Sequence, residues 1–449
     1  MKKIIALLLA VLMVFALVAC ASSKTTETTT DTSAAASSAA ASTPATSSAA
    51  TSAATSSAAS SSAAASTAST SDFKVGAVLV GDENEGYTYA HILGLKTALT
   101  NCGLTEDNII WKYSIGETEA CYDACVDCAE SGCKLIVTNS YGHQSYCKQA
   151  AEEYPDIQFV AMTGDTAKAD GLANFHNAFT KIYEARYVGG IVAGMKLQEL
   201  IDAGKITDKN KDASGNIKIG YVGAYPYAEV VSGYTAFFLG IRSIVKNVSM
   251  EVQYTNSWFD ITAEGEAANS LISRGCVIIG QHADSTGAPS AVQAAHDKGN
   301  ANVFSVGYNV DMLSVAPDVA LTSPQNNWEV AYEEIIKTAM DGGTLKSDYC
   351  NGYAENGVML TPLGSACAAG TQDAIDAAVA AIKDGSLHVF DTSTFTVGGK
   401  PVTNAFATDT NGDFTNDADE AIIDGYYHES YFQSAPSFSL RIDGITELN

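Results

Sequence analysis

The sequence is short of positive charge: 25 Lys and Arg residues stand against 51 Asp and Glu residues, a formal net charge of −26. Such a surface repels nucleic acid and anionic lipid headgroups. The loop that follows the first predicted strand also lacks the glycine-rich pattern that presents backbone N–H groups to phosphate. No Ser-His-Asp constellation can be argued either. These absences disfavour functions that depend on phosphate polyanions.

The N-terminus lacks an apolar run of full membrane-spanning length: Lys2 and Lys3 precede an apolar run over residues 4–19 that is too short to span a bilayer comfortably. This pattern predicts a signal peptide over residues 1–20. The run ends in LVAC at 17–20, which resembles the lipobox of bacterial lipoproteins, so Cys20 is the expected lipidation site (palmitate). The alternative is an ordinary signal followed by an incidental cysteine.

Residues 21–71 consist almost entirely of Ala, Ser and Thr, with one proline and hardly any large apolar side chain. Such a segment cannot bury enough surface to offset the entropy of folding. We therefore expect a disordered tether with an r.m.s. span of about 40 Å, which would hold a globular body on the extracytoplasmic face of the cell membrane.

The remaining body, residues 72–449, is too long for one compact core and suits two lobes. KVGAV at 74–78 recurs as KIGYV at 218–222, and QAA at 149–151 recurs at 293–295 with the same spacing. GCKLI at 132–136 recurs as GCVII at 275–279, a spacing that is shorter by one residue. Matches at one spacing indicate two copies of one supersecondary unit.

Short apolar strands alternate with helical patterns in each copy, which predicts parallel sheets covered by helices. The predicted fold class is α/β: two Rossmann-like lobes joined by a hinge. Strands are expected near 74–80, 108–112, 134–138, 157–161, 217–222, 250–255, 276–280 and 302–306, and helices near 88–100, 118–130 and 143–153. Further helices at 183–200 and 328–340 would connect the lobes. The predicted domains are a first lobe at 72–180 with a return segment near 325–385, a second lobe at 181–324, and a C-terminal extension at 386–449.

Ligands in such sheets lie beyond the carboxyl ends of the strands, so the repeat nominates matching loops in both lobes. These loops are 81–89, 139–143, 163–165, 224–229, 281–286 and 308–311. The first of them carries carboxylates and Tyr87 and Tyr89, and Trp258 of the second lobe could supply an opposing ring. Carboxylates accept bonds from vicinal hydroxyls or bind a cation, so an uncharged aromatic ligand with hydroxyl groups fits this set. Core packing of Tyr87, Tyr89 and Trp258, and helix capping by Asp82 and Glu83, are the alternatives.

Several segments together are similar to the basic membrane protein (BMP, Med-type) family, the substrate-binding lipoproteins of ABC importers. They are GDENEGYTYAHILGL, GCKLIVTNSYGH, AAEEYPDIQF, YEARYVGGIVAGM, KIGYVGAYPYAEVVSGYTAFFLG, NSWFDITAEGEAA and ALTSPQNNW. The resemblance implies a type I periplasmic-binding-protein fold, a purine nucleoside held between two aromatic rings with acidic and amide side chains on the ribose, an ABC permease as partner, and a monomer. It implies no catalysis and no cofactor.

Carried onto this sequence, the family's aromatic positions fall on Tyr87 and Trp258, and its ribose loop falls on residues 307–311. Asn309 stands where relatives usually have aspartate, and Asn326 where a lysine is usual. The predicted ligand-binding residues are Asp82, Asn84, Tyr87, Tyr89, Asn139, Ser140, Trp258, His282, Asp284, Asn309, Asp311 and Asn326.

Three alternatives to a nucleoside receptor stay open at this point. Aromatic rings beside carboxylates also build a cage for a cationic small molecule. A surface enzyme that processes nucleosides is a rival of another class, and a sensor that contacts a membrane kinase is a third.

Two further motifs have plainer interpretations. Cys121, Cys125 and Cys128 have the spacing of an iron–sulfur site, but they share one face of a predicted helix and are expected to form a buried stripe. Cys350 and Cys367 are a possible disulfide.

Residues 409–420 match a calcium loop except for Phe414 at the glycine position, so a polar surface turn is favoured over calcium. The candidate ligands are Asp409, Asn411, Asp413, Asp417 and Glu420.

Overall fold

Two parallel sheets organise the part of the chain that the computed structural model describes, namely residues 72–407, 409, 413, 415 and 417–449. The predicted signal peptide, the lipidation site Cys20, the tether and Asn411 lie outside these residues. No helix among the described residues has the length and apolarity needed to cross a bilayer.

The first lobe begins as a regular alternation of strands and helices. Its elements are β1 (Val75–Val78), α1 (Gly86–Asn101), β2 (Ile109–Lys112), α2 (Glu119–Glu130), β3 (Leu135–Thr138), α3 (Gln144–Glu153), β4 (Gln158–Met162), α4 (Ala167–Asp170) and β5 (Phe175–Thr180). The second lobe repeats the pattern with α5 (Ile182–Asp202), β6 (Ile217–Gly223), α6 (Ala228–Ile244), β7 (Val248–Tyr254), α7 (Ile261–Ser273), β8 (Ile278–Gln281), α8 (Gly287–Asp297) and β9 (Phe304–Val306).

The chain then returns to the first lobe through β10 (Pro324–Asn326), α9 (Trp328–Met340) and β11 (Asp348–Asn351). β11 pairs in parallel with β5, and the order of the first sheet is β11-β5-β4-β3-β1-β2. β12 (Val358–Leu360) pairs with β10, and α10 (Thr371–Lys383) places Ile375 and Ala378 in the core of the second lobe. The predicted return segment therefore contributes to both lobes.

The C-terminal extension contains short hairpins and ends in the second lobe. Its strands are β13 (Thr396–Val397), β14 (Lys400–Pro401), β15 (Phe406–Ala407), β16 (Asp419–Glu420), β17 (Ile422–Ile423), β18 (Tyr426–Tyr427) and β19 (Ile445–Glu447). β19 pairs in parallel with β7, so the order of the second sheet is β19-β7-β6-β8-β9. The predicted fold class, α/β with parallel sheets, is confirmed.

The cysteines of α2 lie in the core of the first lobe. Cys121, Cys125 and Cys128 are fully buried beside Cys133 and Cys147. The expected buried stripe is confirmed, because these thiols fill the space between α2, α3 and the sheet as small apolar groups. Cys350 and Cys367 are both free thiols.

Glycines allow α5 to approach α6 at backbone distance. A Cβ added to Gly190 would meet the carbonyl oxygen of Phe237, and one added to Gly240 would meet that of Tyr187. Since α5 starts where the chain leaves β5, this contact fixes the direction in which the crossover helix enters the second lobe.

We expect Gly190→Ala to lower stability, because the new methyl group must displace a backbone carbonyl. Overpacking of this kind costs about 1 to 3 kcal/mol. The matched control is Gly265→Ala in α7, where the nearest atom to an added Cβ lies at an ordinary 3.5 Å. That substitution should raise stability by about 0.5 to 1 kcal/mol through helix propensity. Thermal unfolding of both variants measures whether each substitution lowers or raises stability. Equal changes in the two variants would contradict the close approach of α5 to α6.

Candidate functional site

A cavity of about 380 Å³ opens between the two lobes, and we call it the interlobe cavity. Its first-lobe wall consists of Val80, Gly81, Asp82, Asn84, Glu85, Tyr87, Ser114, Glu117, Ser140, Tyr141 and Thr163, and its second-lobe wall of Glu229, Trp258, Phe259, Asp284 and Tyr308. These residues follow the carboxyl ends of β1 to β4 and of β6 to β9. Each of the six loops nominated from the sequence repeat supplies at least one lining residue.

Five carboxyl groups line the interlobe cavity, while none of its described lining residues is Lys, Arg or His. The acids are Asp82, Glu85, Glu117, Glu229 and Asp284. Burial of charge without an opposite partner is costly, so each carboxyl needs hydrogen bonds or a proton. The cavity thus rejects anions and offers acceptors to donor groups.

Glu85 caps α1 and at the same time borders the cavity. Its Oε1 accepts a bond from Tyr87 N and its Oε2 one from Thr88 N, both at 2.8 Å. Burial raises the pKa of the Glu85 carboxyl, whereas the bonds from Thr88 and Tyr87 oppose that shift. Asp82 instead accepts bonds at 2.9 Å from the backbone and side-chain nitrogens of Asn84, which fold the loop over the strand end.

Tyr87 is fixed at both ends of its side chain. Its hydroxyl donates to the carbonyl oxygen of Asn139 and lies 3.3 Å from Thr163 Oγ1. Its ring packs edge-on against His91, with centroids 4.6 Å apart. Thr163 has a φ of 62°, a left-handed conformation that is rare for a β-branched residue and is typical of functional sites.

Trp258 belongs to an aromatic cluster in the second lobe. Its ring centroid lies 5.4 Å from that of Tyr225, 6.2 Å from that of Tyr227 and 6.3 Å from that of His282. The carbonyl oxygen of Trp258 accepts a bond from Asp284 N at 2.8 Å. The loops after β7 and β8 are thereby joined next to the cavity.

Asp284 is held by a chain of amide side chains. Asn309 Nδ2 donates to Asp284 Oδ1 at 2.8 Å, and Asn326 Nδ2 donates to Asn309 Oδ1 at 3.0 Å. Burial raises the pKa of the Asp284 carboxyl well above its ordinary range, and the neighbouring carboxyls Glu85, Glu264 and Glu229 raise it further. Asp284 is thus biased towards its neutral, hydrogen-bond-donating form.

A buried cation lies behind the second-lobe wall. The Arg186 guanidinium lies 3.6 Å from the centre of the Tyr308 ring and donates to Tyr221 Oη at 2.8 Å and to the Gln281 carbonyl oxygen at 2.6 Å. His282 Nε2 lies 3.2 Å from Glu229 Oε1. Burial, aided by Arg186, lowers the pKa of His282 to about 4, so the ring is neutral and can donate to Glu229.

The predicted binding residues fall into two groups. Those that line the interlobe cavity are Asp82, Asn84, Tyr87, Ser140, Trp258 and Asp284. Asn139, His282, Asn309 and Asn326 are buried behind it and hydrogen-bond to its wall or supporting loops. Tyr89 points towards solvent from α1, and exposed Asp311 accepts a bond from Leu313 N. Neither of these last two lines the cavity.

The predicted binding residues did not include several residues that line the cavity: Glu85, Glu117, Tyr141, Thr163, Glu229, Phe259 and Tyr308. Glu229 does lie in the first turn of α6, but it also borders the cavity. Glu117 precedes a helix in the sequence, and only the fold shows that it accepts bonds from Ser140 Oγ and Gly142 N. The rule that ligands sit beyond strand ends did nominate the loop that contains Tyr308, but it could not show which side chain of that loop lines the cavity.

The calcium candidates Asp409, Asp413 and Asp417 lie between β15 and β16 in the sequence, and Glu420 lies in β16. Glu420 Oε1 accepts bonds from Ala405 N at 2.9 Å and Ile422 N at 3.1 Å. Asp409, Asp413 and Asp417 are described, whereas Asn411 is not. Among the described residues these acids do not form a three-ligand group. The polar surface turn, with a calcium loop as its alternative, stays a prediction.

The chain is similar to several known proteins. Residues 75–361 match the family model of the PnrA-like ABC transporter substrate-binding proteins. A purine-binding protein of Brucella abortus is 31% identical over 290 residues, which cover 64% of this chain and 75% of that protein. A Haloferax volcanii protein, whose name proposes glucose binding for an ABC transporter, is 32% identical over 268 residues, 60% of this chain and 61% of that protein.

A crystal structure of an ABC transporter solute-binding protein from Aeropyrum pernix superposes with a TM-score of 0.58 at 16% identity, covering 71% of this chain and 93% of that one. This likeness supports the fold. The family match spans the residues that build both walls of the interlobe cavity. The chain therefore belongs to the PnrA-like family of ABC transporter substrate-binding proteins.

Proposed function

We propose that this protein captures an unphosphorylated purine nucleoside outside the cell and delivers it to an ABC permease without changing it chemically. The observation that carries the proposal is the shared cavity: Tyr87 of the first lobe and Trp258 of the second border the same space, together with five carboxyl groups and no basic side chain. A flat base satisfies the rings, and ribose hydroxyls satisfy the acids.

The base and the ribose of a nucleoside would make different contacts with the cavity. Stacking of a base on an aromatic ring is worth about 1 to 3 kcal/mol. Ribose hydroxyls would donate to Asp82 or Glu229, and protonated Asp284 would donate to a ring nitrogen or a hydroxyl. A phosphate group would instead meet the carboxylates and be repelled. Nucleotides are therefore excluded by charge.

Buried asparagine side chains would make the cavity selective by orienting the residues of its wall. Asn309 and Asn326 fix Asp284, and Asn139 fixes Tyr87 and the loop after β1. We propose that these residues orient the wall, while Asp82, Asn84 and Ser140 contact the ligand. The purine-binding relative supports this ligand class.

Membrane attachment completes the proposed function. The LVAC sequence at 17–20 makes Cys20 the proposed lipidation site, and residues 21–71 would tether the body to the membrane near its permease. Closure of the lobes around the ligand would then signal occupancy to the permease.

We expect Trp258→Ala to weaken binding of inosine, adenosine or guanosine by about 5-fold to 150-fold, since it removes one stacking surface. Trp111→Ala is the matched control: this ring stacks on Tyr113 and does not line the cavity. Titration calorimetry measures both variants. The free energy of unfolding of the wild-type protein should rise by about 2.7 kcal/mol at a nucleoside concentration of a hundred times Kd.

The nucleoside proposal fails if none of the three nucleosides stabilises the protein at millimolar concentration while choline or D-glucose does. It also fails if incubation with inosine releases free base, because that outcome identifies an enzyme.

The acidic wall favours one second candidate, a cationic small molecule held between Tyr87 and Trp258 by cation–π contacts. Five carboxyls without a basic neighbour would stabilise an ammonium group as well as they accept hydroxyls. The two candidates differ in their coupling to protons.

A cation stabilises the ionised form of Asp284, whose pKa is raised in the free protein. Cation binding would therefore release protons, and affinity for choline would fall as the pH is lowered from 8 to 6. We expect nucleoside affinity to change less than about threefold over this range.

Asp284→Asn, which keeps the shape of the side chain and removes its charge, should likewise retain nucleoside binding within about tenfold. Strong acid sensitivity together with loss of binding in Asp284→Asn would favour the cation.

A further inference from the structure

A second cavity, of about 250 Å³, lies between the start of α5 and the C-terminal extension, and we call it the extension cavity. Its wall contains Lys181, Tyr183 and Glu184 from the crossover, and Ile382 and Leu387 from the segment around the end of α10. The remaining lining residues come from the extension: His388, Val389, Phe390, Tyr426, Tyr427, His428, Glu429, Ser430 and Tyr431.

The extension cavity is separate from the site assigned to the family. The family match ends at residue 361, whereas most of the lining residues lie beyond residue 381. No residue lines both cavities. The extension thus supplies this chain with a pocket that the matched residues alone would not form.

Stacked aromatic rings form one side of the extension cavity. Tyr426 lies between two histidines, with ring centroids 3.6 Å from His388 at an interplanar angle of 3° and 3.8 Å from His428 at 22°. Tyr431 meets His428 edge-on at 5.7 Å and is 64% exposed. Both faces of Tyr426 are covered by these histidines, so the exposed Tyr431 ring is the one that offers a flat apolar face to a ligand.

A buried carboxyl borders the same space. Glu429 is only 2% exposed; one of its oxygens, Oε2, accepts a bond from Phe438 N at 2.6 Å. The other, Oε1, has no hydrogen bond of normal geometry among the described residues, although the Ser232 hydroxyl lies close enough to favour the charged form. Burial raises the pKa of Glu429 to about 7. A buried acceptor without a hydrogen bond of normal geometry is unusual, and a carboxyl oxygen can accept a further donor beside Ser232.

The charges around the extension cavity are mixed, in contrast to those of the interlobe cavity. Glu184 and Glu429 disfavour an anion, and Lys181 disfavours a cation. A ring face together with a carboxyl acceptor and a lysine donor suits a neutral molecule with both hydroxyl groups and an apolar C–H face. The volume lies below the roughly 300 to 1,000 Å³ typical of sites for drug-sized ligands, so the ligand must be small.

We propose that the extension cavity is a second binding site, for a neutral polyhydroxylated molecule of monosaccharide size. The ligand would stack on the Tyr431 ring of the extension and donate a hydroxyl to Glu429. This site is independent of the ligand that occupies the interlobe cavity.

Saturation-transfer NMR and calorimetry on the purified chain test the proposal with D-glucose, D-ribose and myo-inositol as neutral probes, and with choline and acetate as charged probes. We expect at least one neutral probe to bind saturably and neither charged probe to compete with it. Tyr431→Ala should weaken that binding at least about tenfold, since the exposed ring leaves without disturbing the core. Glu429→Gln should weaken it in the same direction.

Two variants serve as controls. Phe406→Ala removes another exposed ring of the extension, which does not line the cavity, and should leave binding unchanged. Trp258→Ala alters only the interlobe cavity and should also leave it unchanged. The proposal is overturned if no neutral probe binds, if choline or acetate binds equally well, or if Trp258→Ala abolishes sugar binding while Tyr431→Ala retains it. The last result would place the sugar between the lobes.

Discussion

Carboxyl groups that face a cavity without a basic partner are the constraint on which the rest of this structure depends. Three of the five acids show how such groups are stabilised: Glu85 by backbone N–H groups at a helix start, Glu229 by neutral His282, and Asp284 by Asn309 and by its raised pKa. The nearby cation Arg186 is kept behind the wall, against Tyr308. Charge is thus arranged so that the cavity offers mainly acceptors, and protonated Asp284 adds one donor.

Parallel sheets make this arrangement possible, because the carboxyl ends of their strands meet at one edge. Duplicating the unit supplies two such edges, and the crossover through α5, packed by Gly190 against α6, holds them on opposite sides of one space. Rings from the two lobes then border a common cavity. The same crossover also borders the extension cavity, where the chain adds residues beyond the family match and mixes charges instead of concentrating acids.

The sequence predicted the fold class and the loops around the cavity well, because apolar periodicity and the internal repeat both follow from the βα alternation. Side-chain roles were harder to predict. Spacing alone could not separate Tyr87, which lines the cavity, from Tyr89, which leaves the same helix towards solvent. Nor could it show that Asn309 and Asn326 support Asp284 from behind, since that contact joins segments from different strand ends. The strands β11 and β19 were missed because they join their sheets from far along the chain.

The most direct test of the central claim is a crystal structure of this chain with inosine. The account predicts that the base lies between the rings of Tyr87 and Trp258 and that ribose hydroxyls donate to carboxyl groups of the interlobe cavity. Inosine bound elsewhere, or seated in that cavity with its base away from both rings, would contradict it.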